Sequence, residues 1–326
     1  MALGARIVCV MDDFNPFDIP VELRRELLRE GWNDRALARQ VRMGQLVRPR
    51  RGAYVDASAW RSFDAPDRHA VITRAVVKQA ETEVVVSHTS GVRFWEGPTW
   101  GLDLSHAHIT RTDGKTGRRE AGVHQHCGLI LDGDVAMRHG LAVMAPARLS
   151  LEVSTLARLE PAVAVLNDFL HRELTTAKAV RDRYEATMDH WPDSRATEIV
   201  IRLGHPRIAS VLESRFWCFC FTAGLPAPTP QYQVRTPAGH LVAELDFAWP
   251  ELGAYVETNG KFKYLQLLQP DESPGDVIAR ERRREELVHQ LTGFRGLHLG
   301  WEDLASVRLT EQRVRDHLWP RRTAAG

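Results

Sequence analysis

Apolar and polar positions alternate most clearly in two short runs, residues 243–249 and 254–258, which flank Pro250-Glu251-Leu252-Gly253. Period two predicts a strand in each run, and Pro where a turn begins with Gly where it ends predicts a hairpin. With Glu251 and Leu252 at the centre of the turn, Pro250 opposes Gly253, Asp246 opposes Glu257 and Glu244 opposes Asn259. These polar side chains then share one face, and Ala243, Leu245, Phe247, Ala254 and Val256 occupy the other.

Helical periodicity organises most of the rest. Pro20 opens a predicted helix over 21–28 that Gly31 stops, and Asn33-Asp34 opens a second over 35–43 with Gly44 as its C-terminal cap. Short strands at 46–48 and 53–55 follow, joined by a turn at Pro49-Arg50-Arg51-Gly52. The middle of the chain predicts a helix over 70–81, a strand at 84–86, and strands over 105–111 and 123–130. A glycine-rich segment at 113–117 is read as the turn of a hairpin between the last two. Its Gly-Lys-Thr lacks the leading glycine and long following helix of a phosphate loop. Helices over 147–153, 161–171 and 176–188 lead to a linker at 189–194. Beyond it come a helix over 195–203, another that carries Glu213 and ends at Ala223, one over 277–291, and a strand at 298–300. The expected fold class is α/β, α+β overall, in three parts: residues 1–60, 61–190 and 195–326. A tail from Arg321 is expected to be disordered.

Whole-chain charge points to no partner, since 43 Lys and Arg stand against 42 Asp and Glu. Local charge does. From Asp34 to Arg51 the six arginines Arg35, Arg39, Arg42, Arg48, Arg50 and Arg51 face a single acid. Arg35, Arg39 and Arg42 recur at helical spacing, on a face opposite Leu37 and Val41. Two helices and a basic hairpin read as a winged helix that binds double-stranded DNA, with the helix in the major groove and the hairpin on phosphate.

Cys9, Cys127, Cys218 and Cys220 match neither a disulfide framework nor a Cys-x-x-Cys zinc pattern. His106/His108 and His124/His126 are each spaced to share a strand face. Such imidazoles suit zinc, but no carboxylate lies nearby in sequence to orient them, and they are read as ordinary polar strand faces. The apolar run at 7–10 is too short for a signal peptide or a membrane span, so a cytoplasmic chain with no membrane partner is expected.

The carboxylates carry the remaining chemistry. Directly opposite side chains on antiparallel strands lie about 5 Å apart, and like charges there repel. Asp246 and Glu257 therefore want a hard dication such as Mg²⁺ between them, unless they lie on an exposed polar face, solvated or paired with arginine.

The order of motifs over residues 196–310 resembles the PD-(D/E)XK restriction-endonuclease-like fold, and within it the very-short-patch repair endonucleases. The resemblance rests on a helix with Glu213-Ser214, on Gly224-Leu225-Pro226, on Leu245-Asp246-Phe247-Ala248-Trp249-Pro250, on Val256-Glu257 with Asn259-Gly260-Lys261, and on Arg282-Arg283-Arg284-Glu285-Glu286-Leu287. It implies a Mg²⁺-dependent DNA endonuclease, with Mn²⁺ as a substitute. Glu213, Asp246, Glu257 and Lys261 would be catalytic, and Asp246, Glu257 and Asn259 would lie at the metal. The chain departs from the pattern at Asn259, where the family has a charged residue; an amide carries no charge and is a poor base. The first sixty residues resemble the N-terminal winged helix of AbiEi-type antitoxins, on Gly44-Gln45-Leu46-Val47-Arg48 and Arg51-Gly52-Ala53-Tyr54-Val55. That resemblance implies a transcriptional regulator with a toxin partner. Two readings therefore stand: a DNA endonuclease, or an antitoxin-like regulator with an inactive nuclease fold.

Overall fold

The computed structural model describes residues 14–187, 194–258 and 274–320. Helices and strands mix throughout an α+β chain with mixed sheets, gathered into two compact units, residues 1–152 and 153–326. Among the described residues no helix is long and apolar enough to cross a membrane.

In the first unit, β1 (Glu22–Leu23) leads into α1 (Arg24–Arg29) and α2 (Asp34–Arg42), followed by a hairpin of β2 (Leu46–Arg50) and β3 (Ala53–Asp56). β3 lies between β1 and β2. The first helix begins at Arg24, not directly after Pro20, because Glu22 and Leu23 pair instead with Tyr54 and Ala53 at the free edge of the hairpin. The turn expected over Pro49–Gly52 narrows to Arg51-Gly52, with Pro49 and Arg50 continuing β2. Gly52 there adopts a φ of 79°, a left-handed value that glycine takes without steric cost.

Next come α3 (Ala57–Ser62), α4 (Ala65–Gln79), β4 (Val84–Val86), α5 (His88–Val92), β5 (Ala107–Arg111), β6 (Arg119–Glu120), β7 (Val123–His126), β8 (Val135–Arg138), β9 (Leu141–Met144) and α6 (Pro146–Ser154). The strands from β4 to β9 form a sheet in the order β6-β7-β5-β4-β9-β8. α4 serves both sheets of the unit. Its Val71 and Ala75 pack with Leu23, Ala53 and Val55, and its Ala70 and Val76 pack with Val86, Val143, Ala107 and Ile109. Residues 14–152 hold together for that reason.

The glycine-rich segment does not turn a hairpin. β7 runs parallel to β5, with β6 antiparallel on the outer edge of β7. Gly117 accounts for the path. A Cβ there would meet the Gln125 carbonyl oxygen at 2.2 Å, so the returning chain lies flat against β7 and the Gln125 N–H donates to the Arg118 carbonyl at 2.8 Å.

The second unit contains α7 (Leu159–His171), α8 (Ala177–Thr187), α9 (Ser194–Leu203), α10 (Val211–Thr222), β10 (Thr229–Arg235), β11 (Leu241–Trp249), β12 (Ala254–Thr258), α11 (Pro274–Thr292), β13 (Arg295–Leu299) and α12 (Val307–Leu318). α7 is tied to α10 by Asn167 Nδ2, which donates to Ser214 Oγ at 3.1 Å, and by the Arg215–Glu160 ion pair at 3.2 Å. β10, β11 and β12 form an antiparallel meander, and β13 joins β12 in parallel. The hairpin register is the expected one: Phe247 faces Val256, Ala248 faces Tyr255 and Trp249 faces Ala254. The turn holds too, with the Gly253 N–H donating to the Pro250 carbonyl at 3.1 Å and Gly253 at a φ of 57°.

The expectation of a single apolar face fails. Phe247, Trp249, Ala254 and Val256 pack with Phe216 of α10 and Val314 of α12. Ala243, Leu245, Ala248 and Tyr255 instead pack with Val288 of α11 and Phe294. Alternation slips at Asp246, where the β10–β11 ladder leaves Asp246 and Gln231 unpaired, and Gln231 has a φ of 51°. Helices cover both faces of this sheet, so both carry apolar side chains.

Candidate functional sites

The basic surface is built on a short amphipathic helix. Asn33 caps α2, its Oδ1 accepting from the Ala36 N–H at 2.9 Å, and Leu37 is buried with Leu27 and Tyr54. Val41, expected beside Leu37, is about a third exposed, at 36%. Arg35, Arg39 and Arg42 project from α2 into solvent, and Arg48 and Arg51 from the hairpin. The one acid of this stretch, Asp34, is held by Arg24, whose Nε and Nη2 donate to its two oxygens at 2.7 and 2.6 Å. No ion pair joins any of those five exposed arginines to an acid among the described residues. Arg50 differs from them: it is half-buried, its Nε is buried without a hydrogen-bond partner among the described residues, and burial pulls its pKa down.

The acids of the second unit have protein partners. Asp246, 6% exposed, accepts through Oδ2 from both the Thr258 N–H and the Thr258 hydroxyl at 2.7 Å. Glu257 is 3% exposed and takes Arg284 Nη2 of α11 at 2.9 Å, while Arg284 Nε reaches Glu281 at 3.1 Å. Glu213 is the third residue of α10 and helps to cap it. Its N–H donates to Ser210 Oγ at 3.1 Å, and its carboxylate accepts from the Ser210 hydroxyl at 2.7 Å, the Ala209 N–H at 3.0 Å and Gln231 Nε2 at 3.2 Å. The Ser-x-x-Glu spacing is the signal for that cap in the sequence. Asn259 and Lys261 lie outside the described residues. Thr258 thus engages Asp246 Oδ2, and Arg284 engages Glu257 Oε1.

The first unit gathers a group of histidines that sequence spacing only half revealed. His108 Nδ1 lies 2.8 Å from His126 Nε2; His124 and His126 have ring centroids 3.9 Å apart. His88, a residue with no sequence signal, stacks on His126 at 3.6 Å. Burial, followed by the neighbouring imidazoles, pushes His108 and His126 down to about 3. Burial likewise holds His69 down at about 4. His106 stays exposed, its Nδ1 on Ser105 Oγ at 2.8 Å.

No family model, curated protein or solved structure matches this chain.

Proposed function

We propose that this protein binds double-stranded DNA through α2 and the β2–β3 hairpin, acting as a winged helix, and that its C-terminal sheet is a restriction-endonuclease-like fold used for binding rather than hydrolysis. One observation carries the reading: Arg24 neutralises Asp34, and Arg35, Arg39, Arg42, Arg48 and Arg51 are left exposed on one helix and the hairpin beside it. An arginine face without compensating acids attracts a phosphate backbone. Arg35, Arg39 and Arg42 share a helix face suited to a groove, and Arg48 and Arg51 suit the flanking backbone. The half-buried Arg50 is a support of the hairpin and not a direct contact.

The element order of α10, β10, β11, β12, α11 and β13, a meander closed by a parallel strand, supports the nuclease-like part of the reading. The partners of Asp246 and Glu257 favour the inactive form. Hydrolysis is the second reading, favoured by the burial of two carboxylates on neighbouring strands.

Fluorescence anisotropy with a labelled duplex tests the first reading on the full chain. Wild type is expected to bind, and the R35A/R39A/R42A variant to lose most of that affinity. Equal affinity in the two proteins would contradict it. Incubating plasmid DNA with Mg²⁺ separates the second: no cleavage is expected, and cleavage that disappears in Asp246→Asn would establish hydrolysis instead.

A further inference from the structure

The six-stranded sheet of the first unit brings three imidazoles to one point. His108 on β5 and His124 on β7 are register partners, and His126 follows two residues along β7 on the same face. One ligand nitrogen from each of the three lies within 4.8 Å of the others. We propose that His108, His124 and His126 bind a first-row transition-metal dication, Zn²⁺ foremost, with a fourth position left to solvent.

The donor set is the first argument. Imidazole suits zinc and its neighbours, and three protein ligands with one open position is the arrangement of sites that keep a bound water. The distances fit with little movement. Zinc–nitrogen bonds of 2.0–2.1 Å in a tetrahedron place the nitrogens about 3.4 Å apart, and the site spans 2.8 Å between His108 and His126 and up to 4.8 Å overall. His124 and His126 are only half-buried, so an ion can enter past β7.

The second argument is the support behind the rings. The parallel strands fix two of them side by side, and His88 backs His126. The Nδ1 of His88 lies 3.0 Å from Ser87 Oγ, and its backbone N–H donates to Glu152 at 3.0 Å. Glu152 is held in turn by Arg148 at 2.8 Å. Glu152, on α6 and 64 residues beyond His88, thus anchors the backbone that carries this ring and lies 3.5 Å from its Nδ1. The backbone N–H of His108 donates to Ser90 Oγ at 2.8 Å, and the same oxygen lies 2.8 Å from His69 Nε2.

Thr110 lies on the His108 face of β5, beside His126 in the register, and its buried hydroxyl has no partner among the described residues. A stack of mutually bonded histidines leaves that hydroxyl unexplained. A water on the open metal position would satisfy it.

Calorimetry with Zn²⁺ on the full, tag-free chain, followed by Co²⁺ absorption spectroscopy, tests the proposal. One ion per chain is expected, with the intense visible bands of four-coordinate cobalt. His126→Asn and His108→Gln should each weaken Zn²⁺ binding by more than the roughly 10–100-fold that loss of an outer partner costs. His106→Ala should leave binding unchanged. Arg119→Ala should tighten it, since Arg119 Nε donates to His124 Nε2 at 3.2 Å and brings a positive charge to the site. Because His108 is buried, the half-exposed His124→Asn, verified as folded by circular dichroism, provides the arm independent of stability and should also lose binding. Absence of saturable one-to-one binding by wild type, or wild-type affinity in folded His124→Asn, would overturn the proposal.

Discussion

Ser210 and Glu213 show how one residue pair can be read two ways. The nuclease resemblance makes Glu213 a catalytic acid, yet Ser-x-x-Glu at a helix start satisfies backbone donors that the helix cannot. Ser210→Ala removes that cap and is expected to destabilise the protein by about 1 kcal/mol, measured by urea unfolding. An unchanged midpoint would show that the cap contributes nothing. His69 makes a prediction of a different kind. Its Nε2 lies 2.8 Å from the Ser90 hydroxyl, and burial holds it at about 4 against an ordinary value of 6.5. Between those values the unfolded chain binds the proton and the folded chain resists it, so stability is full above pH 6.5 and falls as pH drops towards 4. From pH 7 to 4.5 this group should cost about 2 kcal/mol. His69→Gln should lose that part of the pH dependence in urea midpoints, and an unaltered slope would remove His69 from the account. Some of the remaining slope belongs to His88, His108 and His126, which are shifted the same way.

At the scale of elements, what could be read depended on whether the deciding contact was local. The hairpin register from Phe247 and Val256 to the turn followed from four residues, and the capped α2 followed from Asn33 and Gly44. The parallel pairing of β5 and β7 did not follow, because the contact that sets it joins Gly117 to Gln125 across a loop. The slip of alternation at Asp246 was hidden because helices cover both faces, leaving no polar face to mark it. His88 and Glu152 were invisible as neighbours for the same reason that hid the β5–β7 pairing: 64 residues separate them. Gly117→Ala tests the loop. With its new Cβ 2.2 Å from the Gln125 oxygen, the segment must lift from β7 and break the Arg118–Gln125 hydrogen bond. A destabilisation of about 1–3 kcal/mol is expected, with faster amide exchange at Gln125; retention of both stability and protection would show that β7 does not need the close approach.

For the whole molecule, net charge near zero conceals a division of labour. The first unit places its unneutralised arginines on a helix and hairpin, whereas the second pairs its buried acids with Arg284 and Thr258. The central claim is that the arginine face grips DNA phosphates, and its most direct test is the salt dependence of duplex binding by the full chain. Removing one phosphate-binding charge should lower the slope of log affinity against log salt by about 0.9. Arg39→Ala and Arg48→Ala are each expected to reduce the slope by about that amount, with exposed Arg308→Ala as a control that leaves it unchanged. Slopes in Arg39→Ala and Arg48→Ala equal to wild type would contradict the account.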